Sequence, residues 1–180
     1  RLSVLYKPTT CSISMINNIP TVSFSPNSYI KFKNEFFYLR KMTIHYTSMH
    51  TINESYYDME VLLYHNRNPV SDADGGVIIS ILMKKGADYG TANEFMNEFI
   101  NQMPANEMPT EQAVDVSETW NPEMLFPDSK SFFYYQGALL EMSANSDSNC
   151  MPSCIQYFPN SKFWHRACND LPPLSQCILG

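Results

Sequence analysis

A mainly β fold with short helices, of α+β type, is what this sequence predicts. Three observations carry that expectation. Short alternating apolar and polar runs recur between Asn, Pro, Gly and Ser punctuation, the pattern of half-buried strands. Val77-Ile78-Ile79-Ser80-Ile81-Leu82-Met83 is nearly continuous in apolar character, as in a strand buried on both faces. One segment with helical spacing follows, residues 91–103. The chain has 180 residues, 44% of them hydrophobic and 13% aromatic. That length and composition suit one globular domain with a sizeable core.

Taken in order, Ser12-Ile13-Ser14-Met15-Ile16 and Thr21-Val22-Ser23-Phe24 alternate on either side of Asn17-Asn18-Ile19-Pro20, which predicts a hairpin or tight corner. Tyr29-Ile30-Lys31-Phe32-Lys33 alternates again, and Asn34 to Arg40 leads into a central strand. Met42-Thr43-Ile44-His45-Tyr46 puts Thr43 and His45 on one face, with Met42, Ile44 and Tyr46 on the other. Along Met59 to His65, Glu60, Leu62 and Tyr64 share one face; Val61, Leu63 and His65 share its opposite. Asn66-Arg67-Asn68-Pro69 and Asp72-Ala73-Asp74-Gly75-Gly76 read as loops. The second lacks the spaced acidic ligands and closing glutamate of a calcium loop. Thr91-Ala92-Asn93-Glu94 is a capping box ahead of Phe95, Phe99, Ile100 and Met103, a core-packing stripe that Pro104 ends. Gln102 to Ser117 reads as a long surface connection.

Three of the four histidines, His45, His50 and His65, fall within residues 42–65. That clustering points to a metal or catalytic centre. Around it the sequence resembles the α-class carbonic anhydrases. Their zinc strands read H-x-H and, after a turn carrying E-H-T-V-D, E-x-H-x-x-H. Here the corresponding stretches are Thr43-Ile44-His45, Met49-His50-Thr51-Ile52-Asn53 and Glu60-Val61-Leu62-Leu63-Tyr64-His65. Leu2-Ser3-Val4 and Asn17-Asn18 match the family's P-L-S-V and N-N-G-H, with Ile19-Pro20 where its shuttle histidine would follow. Asp74 to Leu82 resembles D-G-L-A-V-L-G-I-F-L. Asn121 to Leu139 resembles D-P-x-x-L-L-P-x-S-x-x-Y-W-T-Y-x-G-S-L. A helix stands in the family where residues 91–103 predict one.

The resemblance covers about residues 2–142. It implies a central twisted, mostly antiparallel sheet, incomplete at both ends. Residues 1–154 are expected to form the family-like core, and residues 155–180 a Cys-rich extension or divergent end of the same domain. On this alignment the first and third zinc histidines become Thr43 and Leu62, and His45 alone remains. Catalytic zinc needs three protein ligands and an open position for water. Glu60 would orient a ligand that is now Leu62, the acid partner of the hydroxide-orienting threonine falls on Met49, and that threonine falls on Leu140. Met151-Pro152-Ser153-Cys154 offers an alternative register for the T-P-P-C of secreted relatives. The implied reading is a family member that is not an enzyme, with no cofactor. It would serve as a structural or protein-binding subunit of a larger assembly, whose other subunits cover the exposed sheet edges. His50 and His65 match family histidines that make internal hydrogen bonds, and Glu60 is expected to pair with a histidine or a turn amide.

Two other functions are weighed. Adhesion to glycans would use Lys31, Lys33, Arg40 and Lys41 as a basic patch. A repurposed metal site would join His45 to His50 or to the C-terminal cysteines. Net charge −6 and a pI near 5.1 argue against nucleic acid as a partner. No apolar run approaches the roughly 20 residues of a membrane helix. Cys150, Cys154, Cys168 and Cys177 crowd into residues 150–180, and disulfides fit their irregular spacing better than a zinc knot does. With the acceptor sequon Asn53-Glu54-Ser55, they point to an extracellular, cell-surface or organelle-lumen protein. The chain begins at Arg1 without methionine or signal sequence, so a start lost or removed is expected.

Overall fold

In a computed structural model the described residues are 1–16, 19–70, 76–83, 99, 112–114, 121–127, 131–136 and 153–157. Among them the expected β architecture is present. The strands are β1 (Leu2–Leu5), β2 (Cys11–Ile16), β3 (Ile19–Phe24), β4 (Tyr29–Phe32), β5 (Glu35–His45), β6 (Thr51–Ile52), β7 (Ser55–Tyr56), β8 (Met59–Asn66), β9 (Gly76–Met83), β10 (Gln112–Val114), β11 (Phe132–Gln136) and β12 (Ser153–Tyr157). Ten of these make one sheet in the order β10-β2-β3-β5-β8-β9-β12-β11, with β4 pairing both β1 and β5. Only β12 against β9 is parallel. The helix expected over residues 91–103 lies outside the described residues except for Phe99, which is buried in the core.

Strand formation follows the alternation. Ile13, Val22, Ile30, Leu39, Met42, Ile44, Val61, Leu63 and Ile79 fill one face of the sheet, each at most 1% exposed. At about 25 cal/mol per Å² of apolar surface, this face supplies the main drive to fold. The opposite face of the central strands carries Ser14, Thr21, Thr43, His45, Glu60, Leu62, Tyr64 and Ser80. Tyr46, expected on the same face as Met42 and Ile44, lies past the end of β5 and is 63% exposed. The Pro122–Leu125 segment is a 3₁₀ turn whose Glu123 amide is capped by the Asn121 side chain, and Leu125 anchors it in the core.

One irregularity decides what the central strand presents. Leu39 pairs with His65 and Lys41 with Tyr64, so Arg40 is the extra residue of a β-bulge. A bulge re-aims every side chain after it. Before it the odd-numbered Phe37 and Leu39 face the core; after it the even-numbered Met42 and Ile44 do. Lys41, Thr43 and His45 are thereby turned to the polar face. Without the bulge they would point into the core.

Candidate functional site

The candidate centre is the polar face of β5, β8 and β9. Thr43 pairs with Leu62, and Leu62 pairs with Ser80; His45 pairs with Glu60 one step along. Thr43 Oγ1 lies 2.9 Å from His45 Nε2 and 3.5 Å from the Tyr64 hydroxyl. Beside them, Leu62, Tyr64 and Ile78 form a small apolar cluster against which Met49 packs. Lys41 Nζ sits 4.7 Å from the centre of the Tyr64 ring, a cation–π distance.

Glu60 is fully buried and its carboxylate is heavily bonded. It accepts from the Met49 amide at 2.7 Å, from the His50 amide at 2.9 Å and from the Ser80 hydroxyl at 2.5 Å. The two amides meet Oε2; His50 Nδ1 bonds Oε1, the oxygen that also accepts from Ser80, while His50 Nε2 meets the Tyr135 hydroxyl. Burial alone would raise the Glu60 carboxyl. The His50 bond and charge, the Ser80 hydroxyl and the His50 amide outweigh it and hold the group below the usual carboxylate range. The turn amide and histidine expected as Glu60's partners are both there. Ser80 is the partner the sequence reading missed, although it is the one polar residue in the apolar run of β9.

His65 belongs to the other face. The Val77 carbonyl, 3.0 Å away, can only accept, so Nδ1 carries the proton. Nε2 then accepts from the Tyr6 hydroxyl at 2.5 Å, and the two rings stack with centroids 5.8 Å apart. Burial pushes this imidazole down to about 4, against smaller upward contributions from the Val77 and Leu63 carbonyls. It is a neutral group at neutral pH.

The remaining expected residues divide. The four cations of the proposed basic patch have separate partners: Lys31 lies over Phe36, Lys33 over Tyr134 with a 2.8 Å bond to its hydroxyl, Arg40 bonds the Pro69 carbonyl, and Lys41 lies over Tyr64. Asn53 is exposed on the β6–β7 turn. Leu140, Cys150, Cys168 and Cys177 lie outside the described residues, as does the side chain of Cys154, whose backbone is in β12. Cys11 is a buried free thiol that burial pushes up to about 12, which keeps it protonated and unreactive. No helix of the described residues is long and apolar enough to cross a membrane.

The profile of the eukaryotic-type carbonic anhydrases matches residues 1–145. The chain belongs to this carbonic anhydrase family. A curated carbonic anhydrase of Nostoc sp. is 27% identical over 136 residues, 74% of this chain and 47% of that protein. The chain thus spans about half the length of that relative. Among solved structures, the α-carbonic anhydrase of Thermovibrio ammonificans in complex with sulfanilamide has TM-score 0.71 at 18% identity, covering 97% of this chain and 76% of its own. A carbonic anhydrase of Chlamydomonas reinhardtii in complex with acetazolamide has TM-score 0.68 at 17% identity, with coverage of 88% and 64%. Dioscorin complexed with ascorbate has TM-score 0.65 at 19% identity, with coverage of 87% and 60%.

These comparisons correct the expectation that the chain is not an enzyme. The curated relative is itself named a carbonic anhydrase, and the solved neighbours include carbonic anhydrases in complex with sulfanilamide and acetazolamide. The substitutions at Thr43, Leu62, Met49, Leu140 and Ile19-Pro20 describe those positions alone, and they do not fix the activity of a fold whose sites vary. The family also implies a zinc ion, and the residues at the expected positions do not fit one. A threonine hydroxyl, one imidazole and a leucine converge where three nitrogen ligands would be needed. Among the described residues no three of His, Cys, Asp and Glu gather around one point. What this centre offers is hydrogen bonding by Thr43, His45 and Tyr64 beside an apolar wall.

Proposed function

We propose that this carbonic anhydrase family domain acts as a structural or protein-binding subunit of a larger assembly. The observation that carries the reading is the use made of the central polar groups. Glu60 is saturated by Met49, His50 and Ser80, and Thr43 bonds the His45 imidazole. Buried polar networks of this kind, once fully satisfied, rigidify a fold. A rigid sheet is a suitable platform for partner chains, and sheet edges are surfaces that other chains readily cover. The proposal concerns what the domain joins.

The test is the mass of the native species. Tagged at its own gene, the protein should migrate under native conditions well above the mass of its own denatured chain and keep a stoichiometric partner through a high-salt wash. Migration as a monomer in fresh extract, at every salt concentration, would overturn the reading.

A further inference from the structure

We propose that Asn53 is an N-glycosylation site and that the β6–β7 hairpin is built to present it. The inference stands apart from the assembly reading. Asn53-Glu54-Ser55 supplies the acceptor amide and the hydroxyl two residues on that N-glycosylation requires. The structure adds three facts that the sequence alone does not contain.

First, the sequon is the tip of a two-residue hairpin. Thr51 pairs with Tyr56 and Ile52 with Ser55, leaving Asn53 and Glu54 as the loop. Both loop residues have positive φ, 51° and 60°, which is the signature of a type I′ turn. Asparagine tolerates that conformation, so its presence there needs no special arrangement. Second, Asn53, Glu54, Ser55 and Tyr56 are all exposed, and Tyr56 is 65% so. Third, the base is fixed. Ile52 is buried against Leu82, the Ser48 amide donates to the Tyr57 carbonyl at 2.9 Å, and the Tyr57 amide donates to the Ser48 hydroxyl at 2.8 Å. The hairpin therefore holds its tip clear of the sheet. The Ser55 hydroxyl folds back to within 3.4 Å of the Asn53 backbone carbonyl.

The donor is an oligosaccharide carried on a lipid diphosphate. The Asn53 side-chain nitrogen forms a bond to the anomeric carbon, the carbon–oxygen bond to the diphosphate breaks, and the amide loses one proton as the lipid diphosphate leaves. No redox change is involved. A glycan so placed extends into solvent.

The experiment produces the full chain through the secretory pathway of a eukaryotic host and maps the peptide containing residue 53. The expected result is a mass increase removed by peptide:N-glycosidase, absent in Asn53→Gln and Ser55→Ala and retained in Ser55→Thr. Chain retained in the cell is read by the same peptide, so poor secretion does not blunt the test. Recovery of an unmodified Asn53 peptide from both secreted and retained chain overturns the proposal. The glycosylated and enzymatically stripped forms should also unfold at the same denaturant concentration. A clear difference between them would show that the tip is packed and would overturn the structural half of the argument.

Discussion

Glu60 and His65 sit on the same strand, one residue type on each face, and burial acts on them in opposite senses. Burial raises a carboxyl and lowers an imidazole. Glu60 escapes the rise because His50, Ser80 and two turn amides favour its charged form. His65 does not escape: Nε2 accepts from the Tyr6 hydroxyl, which suits the neutral ring, and the upward contributions of the Val77 and Leu63 carbonyls are too small to offset burial. A group lowered from 6.5 to about 4 on folding binds its proton more readily in the unfolded chain. Its contribution is complete above the unfolded value and is lost as pH falls from about 6.5 towards 4, amounting to roughly 2 kcal/mol by pH 5. Glu60 then adds its own loss at lower pH, below the ordinary carboxylate value of about 4.3. Urea unfolding at pH 7.5 and pH 5 checks the first step. The wild type should lose stability across that window by about 2 kcal/mol more than His65→Gln does; equal slopes in the two proteins would show that His65 does not titrate as described.

At the scale of elements, the bulge at Arg40 and the tight pairing of β8 with β9 set the geometry of the centre. The bulge was readable in retrospect: apolar residues at 37 and 39 give way to apolar residues at 42 and 44, and that change of parity requires one extra residue between them. Alternation within residues 42–46 gave the facing of Thr43 and His45 correctly without locating the bulge. The β8–β9 pair begins where Asn66 faces Gly76. A Cβ on Gly76 would stand 2.3 Å from the His65 carbonyl oxygen, a contact with backbone that cannot swing aside. Gly76→Ala must open the end of this pair, and overpacking of this kind costs about 1–3 kcal/mol. A denaturant midpoint unchanged from the wild type would mean that the strands are not so closely joined there.

For the whole molecule, the mostly antiparallel sheet and the family were legible because they rest on repeated local patterns. Period-two alternation, the apolar run of β9 and the strand motifs at Met42–His65 each survive in one dimension. The partners inside the centre were less legible. That Glu60 needed a histidine or turn amide followed from the cost of burying a carboxylate, but Ser80 and Tyr135 reach the network from strands far along the chain, and sequence spacing does not bring them together. Tyr6, stacked on His65 across 59 residues, was hidden for the same reason. The reading of activity failed differently, because it carried a conclusion from the substituted positions Thr43, Leu62, Met49, Leu140 and Ile19-Pro20 to a property of the whole protein.

The central claim is that Thr43, His45 and Leu62 meet at one point and supply a single imidazole there. Zinc titration against a chromophoric chelator tests it most directly, on wild type, His45→Ala and the double variant Thr43→His with Leu62→His. Because the Thr43 side chain already reaches His45 and Thr43 pairs with Leu62, the double variant should complete a three-nitrogen site and take up one zinc per chain that His45→Ala abolishes. The wild type should show no zinc uptake that depends on His45. One zinc per wild-type chain, lost in His45→Ala, would contradict the account.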